Sequence, residues 1–126
     1  MKLGYVDTSA LVAVALGEAR GSLIRGRLRT FSRLVASNLL EAEFRSALAR
    51  EDIEDADQLL SWVTWVFPDR ALTPEFDTIL SLGQARGADL WHLACALYLS
   101  PDPRNLSVIT LDPPQRDLAR KVGFTV

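Results

Sequence analysis

Four acidic residues stand where carboxylates can do chemistry. Asp7 follows the β-forming stretch Lys2 to Val6, and Asp112 follows the apolar run Leu106 to Leu111. Asp89 opens a helical segment after Arg86-Gly87-Ala88, and Glu43 lies within the segment 38–48. Each aspartate also has a plainer role, because Asp is a favoured helix N-cap worth about 1 kcal/mol. Glu43 resists that account. On a helical wheel of about 100° per residue, Leu39, Leu40, Phe44, Ala47 and Leu48 form one apolar arc, and Glu43 falls inside it. Glu41 falls at the far margin of the arc, towards Arg45. A carboxylate on a core-facing side needs a partner, since burying an unpaired charge is costly. That partner is either an arginine or a metal ion. Carboxylates that converge without a cation raise one another's pKa values, and a hard divalent cation relieves the conflict. Oxygen ligands alone select Mg²⁺ or Mn²⁺ over zinc. The chain has one histidine, His92, and one cysteine, Cys95, so no zinc-type spacing exists.

The segments that position these residues alternate between short apolar strands and helices. Strands are expected at 2–6, 34–36, 70–72, 106–111 and 123–126. Helices are expected at 10–16, 21–31, 38–50, 53–67, 73–87, 88–99 and from Asp112 onward. This order indicates an α/β domain with a central, mainly parallel β-sheet flanked by helices. Such sheets carry their ligand site beyond the carboxyl ends of the strands, which is where Asp7 and Asp112 fall. The 126 residues, 48% of them hydrophobic, suit a single domain spanning 1–126 with its own core.

Cys95 excludes an internal disulfide and reads as a small buried hydrophobe. The N-terminal run has one early lysine and is interrupted by Asp7, so a cytoplasmic protein is expected rather than an exported one. No stretch approaches the roughly 20 apolar residues of a membrane span. The net charge of −2 is against a general nucleic-acid binder. The distribution is uneven, however. Arg20, Arg25, Arg27, Arg29, Arg33, Arg45 and Arg50 make up half of the 14 basic residues, and an acidic knot from Glu51 to Asp57 follows them. A basic face can act locally on an acidic protein. Arg25, Arg27, Arg29 and Arg33 are candidate phosphate contacts, a solvated helix surface, or a face that an acidic partner tail could cover.

Four sequence blocks resemble the PIN domains. Tyr5-Val6-Asp7-Thr8-Ser9-Ala10-Leu11 looks like their opening, and SNLLEAEFRSAL, with Ser37 six residues before Glu43, is similar to their second block. ADLWHLACAL carries Asp89 and resembles the third, and VITLDPPQRDLARKVGF carries Asp112 and resembles the fourth. The blocks follow in order over nearly the whole chain, and the length resembles that of compact VapC-type toxins. The resemblance implies a PIN-like ribonuclease dependent on Mg²⁺ or Mn²⁺, with Asp7, Glu43, Asp89 and Asp112 as the catalytic and metal-binding quartet. It further implies RNA products with a 5′-phosphate and a 3′-hydroxyl. Thr8, Ser9 and Thr110 match hydroxyl positions near that site, and Arg25, Arg29 and His92 are expected on the substrate side. His92, three residues after Asp89, shares a helix side with it and either hydrogen-bonds an acid, touches a phosphate or is structural. Trp91 reads as packing. Pro113 and Pro114 depart from the polar loop common in the family and would stiffen Asp112.

A cognate antitoxin and a homodimer are the expected partners, and the apolar segment around Trp62 and Trp65 offers surface for either. The alternative is a non-catalytic PIN-like module that binds RNA or protein. Aspartyl phosphotransfer fits poorly. The phosphatase type expects a second Asp where Ser9 stands, and the receiver type expects an acidic pair near the first strand and a late lysine. Asp7 is alone, and Lys121, the late lysine, falls in a helix.

Overall fold

The computed structural model describes residues 2–126. Four strands, β1 (Leu3–Val6), β2 (Arg33–Ser37), β3 (Val63–Val66) and β4 (Leu106–Ile109), form one sheet in the order β3-β2-β1-β4. Every pairing is parallel, with Leu3 opposite both Arg33 and Leu106, and Leu34 opposite Val63. The helices are α1 (Thr8–Ala15), α2 (Ala19–Leu28), α3 (Leu39–Arg50), α4 (Asp57–Leu60), α5 (Thr73–Leu80), α6 (Gly87–Leu99) and α7 (Pro113–Val122). The α/β class with a parallel sheet expected from the sequence is the class observed.

Burial along the strands explains their composition. β4 is buried throughout, and β1 and β2 are buried except at their first residues. Continuous burial is the mark of parallel strands covered on both faces. β3 instead has Thr64 exposed and Trp65 half-buried between buried Val63 and Val66, as suits a sheet edge. The other edge is extended by the C-terminus, where Val108 N–H donates to the Thr125 carbonyl at 2.8 Å.

Four helices, α1, α3, α6 and α7, carry or directly follow the acidic residues. α3 buries Leu40, Phe44 and Leu48, spaced four residues apart, against the core. Each fully buried side chain of this kind contributes about 1.5–3 kcal/mol. α1 turns back at Gly17, whose φ of +67° is one that glycine adopts without steric cost. α2 then crosses α1 at Gly21, where any Cβ would collide with the Ala13 carbonyl. Among the described residues no helix is long and apolar enough to cross a membrane.

The segment 53–67 departs from the expected single helix. It forms the short α4, a turn, and the strand β3. The run Trp62-Val63-Thr64-Trp65-Val66 is β-branched and aromatic, and such residues favour a pleated surface once a neighbouring strand offers its ladder. Leu59, Leu60 and Val63 are buried as the helical spacing required, but Phe67 is 65% exposed. Residues 70–72 form no strand, and Leu72 is a buried residue preceding α5. α5 ends at Leu80, short of Gly87, and residues 123–126 contribute a single bridge at Thr125 rather than a strand.

Candidate active site

Asp7 leaves the carboxyl end of β1 and is 5% exposed. It occupies the residue before α1, yet its side chain makes no cap hydrogen bond. Its Oδ2 instead accepts from Ser9 Oγ at 2.8 Å and Thr110 Oγ1 at 2.7 Å. The two hydroxyls are themselves held from the other side. Leu111 N–H donates to Ser9 Oγ at 2.9 Å, and Asp112 N–H donates to Thr110 Oγ1 at 3.1 Å. Asp7 N–H donates to the Ile109 carbonyl at 2.9 Å. The loops after β1 and β4 are thus stitched together through one carboxylate. Asp7 Oδ1 has no hydrogen-bond partner and is not fully enclosed, since no fully buried side-chain oxygen or nitrogen lacks a partner among the described residues.

Asp112 precedes α7, also without a side-chain cap bond, and Pro113 occupies the first helical position. Asp89 is three residues past the cap position of α6, which Arg86 fills. None of the three aspartates therefore caps a helix through its side chain. Asp89 and Asp112 line one cavity of about 450 Å³ with Gln84, Arg86, Pro114 and Gln115. Burial raises the Asp89 carboxyl above its ordinary range, and the nearby charges of Asp7 and Asp112 raise it further; Arg86 and His92 oppose the shift. Three aspartates from the ends of β1 and β4 and the start of α6 therefore repel one another across this edge.

Glu43 reaches the same edge from α3 and is partly buried. Its Oε1 accepts from Thr8 Oγ1 at 2.8 Å and from His92 Nε2 at 2.7 Å. The His92 bond, followed by the Thr8 bond, holds the Glu43 carboxyl below its usual range against the opposing effect of burial. His92 is 2% exposed, and its Nδ1 lies 2.9 Å from Tyr5 Oη. Ser37 N–H donates to that same phenol oxygen at 3.1 Å. The chain then runs from Ser37 N–H to Tyr5 to His92 to Glu43, passing through both ring nitrogens of His92. Burial raises the Tyr5 pKa well above its ordinary value, so the phenol stays a donor. Glu41 is elsewhere: it pairs with Arg45 at 2.8 Å on the exposed side of α3. The wheel had favoured Glu43 over Glu41 as the inward glutamate, and the geometry places Glu43 at the acidic edge.

The structure brings Asp7, Glu43, Asp89, Asp112, Thr8, Ser9, Thr110 and His92 to the carboxyl edge of the sheet. It does not bring Arg25 and Arg29 there. Arg29 lines a groove at the amino ends of β2 and β3, and Arg25 lies over the Trp62 ring at 5.3 Å. The basic residue beside the acids is Arg86, whose Nε is 3.7 Å from Asp89 Oδ2. Arg25 and Arg29 are carried away because β2 must start level with β1 at the amino edge and α2 leads directly into it, whereas Arg27 lies near Arg116 of α7.

Sequence reasoning passed over Gln115 and Tyr5 as supports. Gln115, 3% exposed, donates from Nε2 to the Asp89 carbonyl at 2.9 Å and so ties α7 to α6. It shares a helix face with Leu118, Ala119 and Val122, so the polar-in-an-apolar-arc signal that singled out Glu43 was present here too. Ser37 Oγ accepts from Leu39 N–H at 3.0 Å and from the Trp91 indole at 2.9 Å. Trp91 therefore has a polar attachment besides its contact with Phe76. Tyr5 gives no periodic signal because Gly4 and Val6 on either side of it are buried as well. Cys95 is buried, and its thiol is pushed up to about 12 by that burial, which makes it inert as a nucleophile.

The donor set is oxygen-rich and holds a net negative charge, which suits a hard cation. Among the described residues no three acidic, histidine or cysteine side chains approach closely enough to form a ready coordination cluster.

No curated protein and no solved structure matched the chain. The protein-family comparison matched residues 4–121 to the family described as PIN domain. PIN domains are typically nucleases and usually bind a divalent metal. The matched span covers β2, β3, β4, all of β1 but Leu3, and every residue of the acidic edge, and on that footing the chain belongs to the PIN-domain family.

Proposed function

We propose that the chain is a ribonuclease dependent on Mg²⁺ or Mn²⁺, acting in the cytoplasm as the toxin of a VapBC-type toxin–antitoxin pair. The observation that carries the nuclease chemistry is Asp7. It is a nearly buried carboxylate whose partners are two neutral hydroxyls and which makes no ion pair among the described residues. A charge in that setting is stabilised by a cation, and Asp89 and Asp112 add to the demand for one.

Asp7, Glu43 and Asp89 would hold the metal, directly or through its waters, and Asp112 would complete the set. When bound, the ion acidifies water and offsets charge on the scissile phosphate. Ser9 and Thr110 keep Oδ2 of Asp7 occupied and leave Oδ1 for the ligand. His92 and Thr8 do the same for Glu43, whose Oε1 they occupy. Water adds to phosphorus and the bond to the 3′-oxygen breaks, with the water proton passing to that oxygen. The products are a 5′-phosphate and a 3′-hydroxyl. Arg86 stands where it can meet the substrate backbone.

The toxin role rests on the likeness of the motifs and length to VapC toxins. A homodimer and an antitoxin are the partners proposed, and exposed Leu80 and Leu82 near the end of α5 provide apolar surface for one of them. The test is RNA cleavage by the wild type and by Asp7→Asn and Asp89→Asn, each with Mg²⁺ and with EDTA. Cleavage requires Mg²⁺ and both aspartates. Full cleavage in EDTA, or by both variants, overturns the reading, and a folded chain with no Mg²⁺ binding would make it a non-catalytic module.

A further inference from the structure

At the opposite end of the sheet lies a groove of about 540 Å³. Arg29, Phe31, Ser32 and Arg33 line it from the α2–β2 connection, and Trp62 and Thr64 line it from the start of β3. Its composition differs from that of an ordinary crease. Lys2 Nζ lies 4.8 Å from the centre of the Phe31 ring, and the Arg25 guanidinium lies 5.3 Å from the centre of Trp62. Among the described residues none of Lys2, Arg25, Arg29 and Arg33 makes an ion pair, whereas Arg45, Arg70, Arg104 and Arg120 all do. Two arginines and two half-buried aromatic rings therefore line one concave surface, and Lys2 and Arg25 lie over those rings. Ser32 and Thr64 add exposed hydroxyls.

Arginines alone would accept any anion, an acidic peptide included. The rings narrow the choice. A ligand that satisfies both features has a flat π-face joined to a phosphate, which describes a nucleotide unit. We propose that this groove is a second nucleic-acid subsite, taking an unstacked base against Trp62 and Phe31 and its phosphate against Arg29 and Arg33. The base and phosphate come from single-stranded RNA or from a free nucleotide. Strand polarity places the subsite a full strand length from Asp7, so it contributes binding and takes no part in bond cleavage. The subsite stands on its own residues and does not depend on the acidic edge being a nuclease.

The test follows the tryptophan indole N–H resonances of the full chain in EDTA, with Trp62 assigned by Trp62→Phe. The probes are a single-stranded oligouridylate of about ten nucleotides, AMP, heparin and a poly-glutamate peptide. The oligonucleotide is expected to shift Trp62 and leave Trp91, at the acidic edge, in place. A shift by AMP as well assigns the site to nucleotides in general, and a shift by the oligonucleotide alone assigns it to strands. The double reversal Arg29→Glu with Arg33→Glu lies on exposed side chains and should weaken oligonucleotide binding about tenfold or more. Trp62→Leu should weaken it about tenfold, with Trp62→Phe close to wild type. The proposal fails if heparin or poly-glutamate shifts Trp62 as strongly as the oligonucleotide. It also fails if the double reversal binds unchanged, or if RNA binds while Trp62 stays in place.

Discussion

The two ends of the sheet are built from opposite materials. At the carboxyl end, Asp7 and Glu43 are each fixed by two side-chain hydrogen bonds, and Ser9, Thr110 and His92 among those partners are in turn bonded to backbone or to Tyr5. At the amino end, cations rest against aromatic faces at about 5 Å, a contact worth about 0.5–1 kcal/mol at exposed sites. The first arrangement holds an oxygen atom in place; the second holds a surface that can adapt. Chemistry at phosphorus needs the former, since small displacements of a catalytic group are costly. Retention of a flexible strand is served by the latter. The parallel sheet makes the separation possible, because every β-to-α connection emerges at one end and every return enters at the other.

This contrast can be broken by substitutions at each end. The largest effect is expected from Asp7→Asn. Cleavage should fall to background while the Trp62 response to oligonucleotide persists; loss of both would show that the two ends are not independent. Thr110→Val removes one of the two donors to Asp7 and should lower cleavage about 10- to 100-fold, the usual cost of losing a group that orients a metal ligand. An unchanged rate would mean that Ser9 alone holds the carboxylate. The Arg29→Glu, Arg33→Glu pair should raise KM and leave kcat close to wild type, read from initial rates over a range of RNA concentrations. A fall in kcat with unchanged KM would move the basic groove into the chemical step.

The smallest effect is expected outside both ends, at the ion pair of Arg70 with Glu75. Arg70 donates to both Glu75 oxygens, at 2.8 and 2.6 Å, and lowers the Glu75 carboxyl pKa against the opposing effect of burial. A depressed folded-state value means that this stabilisation is present above the ordinary glutamate range and is lost as pH falls through the lower folded value. The melting temperature of Glu75→Gln should therefore lie below wild type at neutral pH, with the gap closing in acid. A gap that widens in acid would reverse the sign. Cleavage at neutral pH should be close to wild type.

The parts of this protein that its sequence discloses are those set by local rules. Short apolar runs alternating with helices imply a parallel sheet, and a carboxylate directly after such a run falls at its carboxyl edge, so Asp7 and Asp112 could be placed without coordinates. Glu43 was legible because a charge inside an apolar arc contradicts its own helix, and Gln115 carried the same signal in α7. What local rules could not decide were the choices made by partners distant in the chain. The segment 62–66 reads equally as the face of a helix or as a strand, and only the open ladder of β2 selects the strand. The arginines of α2 and the loop after it cluster in sequence with no indication of which end of the sheet they serve. Their place follows from β2 starting level with β1. The donors to Asp7 and Glu43 come from residues as far away as Thr110 and His92, and a side-chain hydrogen bond across that separation exists only once the sheet has brought four strand ends together.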